Sequence, residues 1–303
     1  MMELTDFQQR IQCLAADIVL RFNEPMAKHT SFRIGGPAEV MAFPHSCLEL
    51  KKLLKLSVSL DCKTAILGAG TNVLAPDKGV SGLVICLKDS LAGMEQLDGT
   101  HIRVAAGVSM TRAAVFAAGL GLSGLEFAHG IPGSVGGGVY MNAGAYGGEI
   151  AQVCECVEVM RWDGTVVTLR AEEMNFSYRH SRLEQEQGIV VSAVFALSPK
   201  PEKQIRELMQ DLMKRRSASQ PLDLPSAGSA FKRPKEGYAA AMIDEAGLRG
   251  YQVGNAAVSE KHTGFVVNLG GATARDVKTL LTNISNTVYE KTGVQLEPEI
   301  RIW

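Results

Sequence analysis

The spacing of apolar residues predicts short helices and strands that follow one another in irregular order. Phe7, Ile11, Leu14 and Ile18 recur at helical spacing and predict an amphipathic helix over residues 5–21. Similar spacing predicts further helices over 48–56, 109–119, 205–213, 238–246 and 274–290. Short apolar runs bounded by turn residues predict strands over 38–43, 65–67, 83–86, 102–105, 153–162, 165–169, 189–197, 265–269 and 294–302. This mixture favours an α+β fold over a regular βαβ succession.

Local signals add detail to this pattern. Ser109 is a suitable N-cap for the helix over 109–119. Asp163-Gly164 predicts a tight turn between two strands. The composition then changes at the proline-containing stretch 198–201, where we expect a domain boundary. The sequence is therefore divided into an N-terminal helix (1–21), a first domain (22–199) and a C-terminal domain (200–303).

Composition and charge exclude several classes of protein. Apolar residues make up 46% of the 303 residues and charged residues 21%, which excludes a disordered chain. The net charge is −1, so no basic field indicates nucleic acid or an anionic membrane. The chain has no run of about 18 apolar residues that predicts a transmembrane helix. The acidic N-terminus does not resemble a signal peptide, so we expect a cytoplasmic protein.

The cysteines and histidines do not indicate a metal site. The six cysteines include no C-x-x-C pair, and the six histidines show no H-x-x-x-H or H-E-x-x-H spacing. In a reducing compartment, scattered cysteines are most simply buried small hydrophobic residues. We therefore predict no metal and six unpaired thiols.

Glycine is concentrated in the middle of the chain, where 11 of the 31 glycines lie within residues 119–148. Two glycine-bearing loops follow predicted elements, over residues 68–74 and 130–149. Neither matches a Walker A motif, a G-x-G-x-x-G fingerprint or the G-x-S-x-G elbow of hydrolases. Glycine lets the backbone approach an anion, and consecutive N–H groups can bind a phosphate. Tight turns with close backbone packing are the structural alternative.

Three further positions are candidates for chemistry, and each also has a purely structural interpretation. Arg179 lies beside an aromatic residue and could equally be a surface cation. Ser229 lies on a glycine-containing loop and could be a turn hydroxyl. Glu299 alternates with apolar positions in the last predicted strand and could pair with Arg301 in solvent. The same alternation places Leu296, Ile300 and Ile302 together on the opposite face of that strand.

The motifs taken together are more specific than any one of them. They are Thr30-Ser31-Phe32-Arg33-Ile34-Gly35-Gly36-Pro37-Ala38, Gly68-x-Gly70-Thr71-Asn72-x-Leu74, Gly130–Glu149, Ser177-Tyr178-Arg179-x-Ser181, Gly228-Ser229-x-Phe231-Lys232 and Glu297-Pro298-Glu299-Ile300. In this order, from about residue 20 to the end, they resemble the UDP-N-acetylenolpyruvoylglucosamine reductase (MurB) family, in its shorter class without an extra capping insertion. This family makes a peptidoglycan precursor.

The resemblance implies a fold, a cofactor and a set of site residues. It implies a two-lobed FAD-binding domain of the vanillyl-alcohol-oxidase/PCMH type, split near residue 98, followed by an α+β substrate-binding domain. The matching catalytic positions are Arg179, Ser229 and Glu299. The implied contacts to non-covalent FAD are Gly68, Gly70, Thr71, Asn72, Leu74, Gly133, Ser134, Gly137, Gly138, Asn142, Gly144 and Ala145.

The implied reaction is the NADPH-dependent reduction of the enolpyruvyl group of a UDP-sugar. Arg216, Lys232, Arg233 and Lys261 are candidates for binding the substrate diphosphate, although each could be a solvated surface cation. We expect a monomer with no nucleic-acid or membrane partner. Two other functions stay open, namely another FAD-dependent oxidoreductase of the same fold, such as an oxidase, and a non-catalytic nucleotide-binding module.

Overall fold

Eight α-helices lie within residues 4–303, the part of the chain that this computed structural model describes. The bounds of several helices lie within one or two residues of the predicted ones. Ser109, for example, accepts a hydrogen bond from the backbone N–H of Arg112 and starts the third helix, as predicted. The helices are α1 (Asp6–Leu14), α2 (Cys47–Ser59), α3 (Met110–Gly119), α4 (Val135–Tyr140), α5 (Leu183–Glu186), α6 (Glu202–Ser219), α7 (Ala239–Glu245) and α8 (Ala274–Thr292).

The strands of the same residues are mostly short. They are β1 (Val19–Pro25), β2 (Pro37–Phe43), β3 (Thr64–Leu67), β4 (Val73–Leu74), β5 (Val80–Cys86), β6 (Met94–Gln96), β7 (His101–Ala105), β8 (Leu122–Ser123), β9 (Gly144–Ala145), β10 (Gly148–Glu149), β11 (Cys154–Met160), β12 (Val166–Arg170), β13 (Ile189–Ala196), β14 (Ser198–Pro199), β15 (Ser226–Ser229), β16 (Gln252–Val253), β17 (Ala256–Val258), β18 (Phe265–Asn268) and β19 (Arg301–Ile302).

The larger sheets are mainly antiparallel. A five-stranded sheet has the order β12-β11-β13-β7-β6, and all of its neighbouring strands are antiparallel. A four-stranded sheet, β1-β2-β5-β3, contains the parallel pair β3 and β5. A second four-stranded sheet, β15-β18-β17-β16, is antiparallel, and β19 pairs in parallel with β4. The α+β class predicted from the irregular order of elements is confirmed.

The chain packs as two units. Among the described residues, the first comprises 4–22, 39–69 and 82–215, and the second 23–38, 70–81 and 216–303. In the first unit, seven of the eight residues of the central strand β13 are buried, and α4 packs against this strand. In the second unit, α8 buries Val277, Leu280, Ile284 and Val288 in one apolar core. The predicted functional boundary between residues 199 and 200 stays a prediction, because these units are defined by packing alone.

The predicted helix over residues 5–21 is wrong in its second half. Thr5 caps α1, but the helix ends at Leu14, and Val19 already belongs to β1. Ile18 is buried without being on the helix, and Leu14 is exposed. Apolar residues three or four apart fit a helix, but they also fit a helix followed by a turn and a strand. Periodicity could not separate these cases.

The last predicted strand is also much shorter than expected. Over 294–302 only β19 forms, although Leu296 and Ile300 are buried as the alternation predicts. Ile302 is 44% exposed, so the prediction that it shares their face is wrong. Arg301 and Ile302 pair with Val73 and Leu74 of the two-residue strand β4, a ladder too short to extend the alternation.

The cysteines are free thiols, but they are not all buried. Cys86 and Cys154 lie in the interior, and burial raises the pKa of the Cys154 thiol to about 12. Cys13 and Cys47 are exposed on α1 and α2, which corrects the prediction that all six are buried. Within residues 4–303, no helix combines the length and apolar character that crossing a membrane requires.

Candidate active site

The first glycine loop presents backbone donors. Along the described chain, the N–H groups of Gly70, Thr71 and Asn72 make no hydrogen bond to a protein acceptor. Gly70 has φ +64°, and a Cβ there would lie 2.0 Å from the carbonyl oxygen of His29, so only glycine fits. Successive unpaired N–H groups in a tight turn are a suitable cradle for an anion. Leu74, in contrast, is fully buried and pairs with Ile302, so its side chain belongs to the core.

The second glycine segment folds into the short helix α4. Ser134 is its N-cap and accepts a hydrogen bond from the N–H of Gly137. A Cβ on Gly136 would lie 2.8 Å from the Cβ of Ala106, and one on Gly138 would lie 2.7 Å from Sδ of Met110. These two glycines are therefore explained by close packing within the first unit. A Cβ on Gly68 would similarly lie 2.5 Å from Oγ of Ser134.

Gly137 differs from its neighbours because nothing in the protein requires a glycine there. It is exposed, its φ is ordinary, and a Cβ would meet only Oγ of Ser134, at 3.5 Å. An exposed helical glycine is less stable than alanine by roughly 1 kcal/mol. The N–H groups of Gly133 and Ser134 also make no hydrogen bond within the described residues. Open space beside unpaired donors fits the close approach of an anionic ligand such as a flavin nucleotide diphosphate.

The end of the glycine segment is a two-residue hairpin between β9 and β10. Its central residues, Tyr146 and Gly147, both have positive φ (54° and 85°), as a type I′ turn requires. A Cβ on Gly148 would lie 2.6 Å from the ring of Phe127, and one on Gly144 would lie 2.8 Å from the carbonyl oxygen of Gly148. Both glycines are therefore needed for packing. The part that Gly144 and Ala145 play in binding FAD stays a prediction.

Arg179 lies in a strained turn of the first unit. Ser177 and His180 exchange backbone hydrogen bonds of 3.2 and 3.1 Å across this turn. Arg179 has φ +56°, the left-handed conformation that glycine usually occupies. Its guanidinium lies 5.1 Å from the ring centroid of Tyr178 and donates to the carbonyl of Gly144 at 3.3 Å. Non-glycine residues in this conformation concentrate at functional sites, where the surrounding structure maintains them.

Ser229 faces outward because of a β-bulge in the second unit. Ser226 pairs with Val267 and Ser229 with Phe265, so β15 has one more residue than β18 between these pairs. Gly228 occupies the bulge with φ +79°. Residues two apart in a regular strand share a face, yet Ala227 is buried and Ser229 is exposed. The bulge therefore turns the Ser229 hydroxyl away from the core.

Glu299 is held beside the Ser229 strand. Its backbone N–H donates to the carbonyl of Ala230 at 2.9 Å, and Phe231 forms a β-bridge with Pro298. The side-chain amide of Asn72 donates to the carbonyl of Glu299 at 3.2 Å. Adjacent backbone segments of the second unit thus carry a hydroxyl and a carboxyl group, Ser229 and Glu299, the pair that the sequence singled out.

The four candidate cations have different surroundings, all in the second unit. Lys232 forms an ion pair with Glu297, and Nζ of Lys261 donates to the carbonyl of Ser217 at 2.6 Å. The Arg233 guanidinium lies 4.0 Å from the ring centroid of Tyr238. Arg216 is only 9% exposed. These surroundings hold the cations in place, and their contacts to a substrate diphosphate stay a prediction.

Sequence reasoning missed three contributors near these loops. Ser31 Oγ donates to the carbonyl of Ser226 at 2.6 Å, and Ser181 Oγ donates to the carbonyl of Tyr140 at 2.7 Å. Nδ1 of His129 is buried with no hydrogen-bond partner among residues 4–303, and burial lowers the pKa of this imidazole. The two serines lie inside the motifs that carry the resemblance, and His129 directly precedes the second glycine segment.

Two protein-family models match parts of this chain. Residues 38–170 match the family described as "FAD binding domain", and residues 220–303 match "UDP-N-acetylenolpyruvoylglucosamine reductase, C-terminal domain". The expected FAD-binding domain followed by an α+β C-terminal domain is thus confirmed.

Several curated relatives that match most of this chain are UDP-N-acetylenolpyruvoylglucosamine reductases. The chain is 47% identical over 291 residues to a UDP-N-acetylenolpyruvoylglucosamine reductase from Agathobacter rectalis, covering 92% of each protein. It is also 47% identical to the reductase of that name from Caldanaerobacter subterraneus, covering 93% of each. The crystal structure of the reductase (MurB) from Thermus caldophilus superposes with a TM-score of 0.79 at 36% identity, covering 94% of this chain and 98% of that one. The chain therefore belongs to the UDP-N-acetylenolpyruvoylglucosamine reductase family.

Proposed function

We propose that this chain reduces the enolpyruvyl group of UDP-N-acetylenolpyruvoylglucosamine with NADPH, giving UDP-N-acetylmuramate for peptidoglycan synthesis. Membership in the family supports the reaction. The structural observation that carries it is the pairing of the Ser229 strand with the backbone of Glu299, at 2.9 Å between Glu299 N and Ala230 O. Reduction of a C=C bond requires a hydride and a proton. The hydroxyl group of Ser229 and the carboxyl group of Glu299 are suited to supplying the proton.

FAD is the cofactor of this function, and the residues of the chain fit it. When bound, FAD would supply hydride transfer between NADPH and C3 of the enolpyruvyl group. The unpaired N–H groups of Gly70, Thr71 and Asn72 are suited to binding phosphate oxygens, and so are those of Gly133 and Ser134. Binding through backbone donors also explains why the chain needs no cationic patch and has a net charge of only −1.

Arg179 would bind the carboxylate of the enolpyruvyl group. Hydride addition to C3 places negative charge on this carboxylate, and a guanidinium that is already oriented stabilises it without reorganisation. Arginine is always cationic and can bind both carboxylate oxygens. The tight Ser177–His180 turn orients the side chain before substrate arrives.

Ser229 would deliver the proton to C2, which completes the reduction. A serine hydroxyl is a weak acid, so the carboxyl group of Glu299 would donate a hydrogen bond or relay a proton. The bulge at Gly228 keeps the hydroxyl exposed, and within residues 4–303 this hydroxyl makes no hydrogen bond to protein.

The substrate diphosphate would be bound by four cations, Arg216, Lys232, Arg233 and Lys261. We further propose a cytoplasmic monomer.

The proposal is tested by following the two half-reactions separately. The purified protein should show flavin absorption bands that NADPH bleaches without oxygen and that the enolpyruvyl UDP-sugar restores. Ser229→Ala should slow the restoration by roughly 10²- to 10⁴-fold and leave the bleaching unchanged. Ser226→Ala, on the same strand, is the matched control. A protein that does not bind FAD, or a Ser229→Ala variant with both half-reactions intact, contradicts the proposal.

The same measurements separate the alternative function. Another FAD-dependent oxidoreductase of this fold, such as an oxidase, would keep the flavin bands. An alcohol substrate would bleach these bands, and oxygen rather than the enolpyruvyl UDP-sugar would restore them. Formation of hydrogen peroxide in place of UDP-N-acetylmuramate would therefore favour this alternative.

A further inference from the structure

We propose that Asn142 is a positioning residue for Arg179, acting through a hydrogen bond to the turn that carries the arginine rather than through contact with FAD. This inference rests on the proposed function, because it assigns Asn142 to the step in which Arg179 binds the substrate carboxylate. It also differs from what the sequence resemblance implies, which places Asn142 among the residues that bind the cofactor.

The side chain of Asn142 is already engaged at both ends. Asn142 is fully buried, with its backbone in the left-handed region at φ +42°. Nδ2 donates to the carbonyl of Ser177 at 3.0 Å, and Oδ1 accepts from the N–H of Ala151 at 2.9 Å. One partner can only accept and the other can only donate, so the orientation of the amide is fixed. A buried amide in this position is not available to a cofactor.

The hydrogen bond to Ser177 falls at the start of the strained turn. The Ser177 carbonyl also accepts from the N–H of His180, which closes the turn around Arg179. Two further bonds join this region to the glycine segment, from Ser181 Oγ to Tyr140 O and from Arg179 Nη2 to Gly144 O. A left-handed non-glycine residue persists only where its surroundings hold it. The Asn142 amide is the buried side-chain donor that holds the first residue of the turn.

Loss of this donor should affect only one half-reaction. Without it, Ser177 can shift and Arg179 can relax from φ +56°, which moves the guanidinium away from the substrate carboxylate. A displacement of about 1 Å of a group that orients substrate can cost about 10²-fold in rate. Flavin reduction by NADPH involves no enolpyruvyl carboxylate and should therefore be unaffected. The backbone donors for FAD are also untouched.

Asn142→Asp is the sharpest variant, because it keeps the size of the side chain and the acceptor for Ala151 but loses the donor to Ser177. We expect an unchanged FAD dissociation constant, measured by quenching of flavin fluorescence, and an unchanged rate of flavin reduction by NADPH. We expect reoxidation by the enolpyruvyl UDP-sugar to fall about 10- to 100-fold, with a raised KM for that substrate. Gln152→Ala is the matched control, since Gln152 Nε2 donates to the carbonyl of Gly147 in the same segment but does not contact the turn.

A second measurement separates positioning from a general structural effect. If Asn142 acts through Arg179, Asn142→Asp should have no further effect on reoxidation in an Arg179→Ala background, so the two substitutions are not additive. Full additivity would overturn the proposal, and so would weaker FAD binding with both half-reactions slowed equally. Failure of the proposed function is recognised separately, because the unsubstituted protein would then not be reoxidised by the enolpyruvyl UDP-sugar at all.

Discussion

The side-chain amide of Asn72 donates a hydrogen bond to the backbone carbonyl of Glu299, with 3.2 Å between Nδ2 and the carbonyl oxygen. The backbone carbonyl of Asn72 also accepts from the N–H of Arg301 at 3.0 Å. One residue of the first glycine loop therefore holds the backbone on the C-terminal side of Glu299, the candidate proton-relay residue. This arrangement joins the proposed cofactor loop to the proposed catalytic strand within the second unit.

The Asn72 contact predicts a selective loss of activity. Asn72→Ala removes the bond to Glu299 but leaves the backbone N–H that we propose binds FAD. A net hydrogen bond contributes about 0.5–1.5 kcal/mol to stability, so the free energy of unfolding should fall by about that amount. FAD affinity should be retained, and reoxidation by the enolpyruvyl UDP-sugar should slow. Loss of FAD binding with normal reoxidation of the remaining holoenzyme would argue that the side chain contacts the cofactor.

Gly137 and Gly138 provide a matched pair that separates ligand approach from packing. Gly137→Ala adds a methyl group to open space in a helix, so the free energy of unfolding of the FAD-free protein should rise by up to about 1 kcal/mol. Its FAD affinity should fall. Gly138→Ala brings a Cβ to 2.7 Å from Sδ of Met110 and should destabilise the FAD-free protein. Thermal unfolding without FAD and a fluorescence titration with FAD measure the two effects. Equal FAD affinity for Gly137→Ala and the parent would exclude close approach there.

Sequence reasoning was most reliable where the chemistry is local. The Ser109 cap and the Asp163-Gly164 turn were predicted because the residues that determine them are neighbours in sequence. The reasons for Gly68 and Gly138 were not predictable, because their close neighbours, Ser134 and Met110, are distant in sequence or on another helix. A glycine required for packing and a glycine required for a ligand look the same in a sequence.

The candidate site shows the same division. The motifs identified Arg179, Ser229 and Glu299 as a set, but two features that orient them depend on tertiary structure. Register against Phe265 and Val267 creates the bulge that exposes Ser229, and nothing within β15 alone gives that register. The Asn142 bond to the turn of Arg179 is likewise a contact between separate loops.

The bulge predicts that Gly228 is required for the orientation of Ser229. Gly228 has φ +79° with open space around a Cβ position, so Gly228→Ala is strained by its backbone conformation and not by a clash. A left-handed conformation costs a residue with a Cβ about 1–2 kcal/mol. We expect the free energy of unfolding to fall by about that amount, which lowers the melting temperature. We also expect slower reoxidation by the enolpyruvyl UDP-sugar. Gly228→Asn, which tolerates this conformation better, should recover part of both. Equal behaviour of the two variants would contradict the backbone explanation.

Asp77 predicts a stability effect outside the catalytic residues. Its carboxylate accepts from the N–H groups of Ala274 and Arg275, at 2.6 and 3.0 Å, and so caps the N-terminus of α8 from another loop of the second unit. Asp77→Ala should lower the free energy of unfolding by about 1–2 kcal/mol, measured by chemical denaturation. Asp77→Asn keeps one acceptor and should lose less. Lys78→Ala, at the adjacent exposed position, is the control. An unchanged midpoint for Asp77→Ala would exclude the cap.

His129 predicts how stability depends on pH near the second glycine segment. Burial lowers the pKa of its imidazole below the value of about 6.5 in an unfolded chain. The folded protein therefore binds fewer protons at this site than the unfolded chain, and stability falls as the pH decreases from about 6.5 through the lowered pKa. Above about 6.5 both states are neutral and this effect is absent. His129→Gln should remove this component, so the loss of melting temperature between pH 7.5 and pH 5 should be smaller than in the parent. His45→Gln, at an exposed histidine, is the control. If His129→Gln and the parent lose melting temperature equally between these pH values, the protonation of His129 is not coupled to folding.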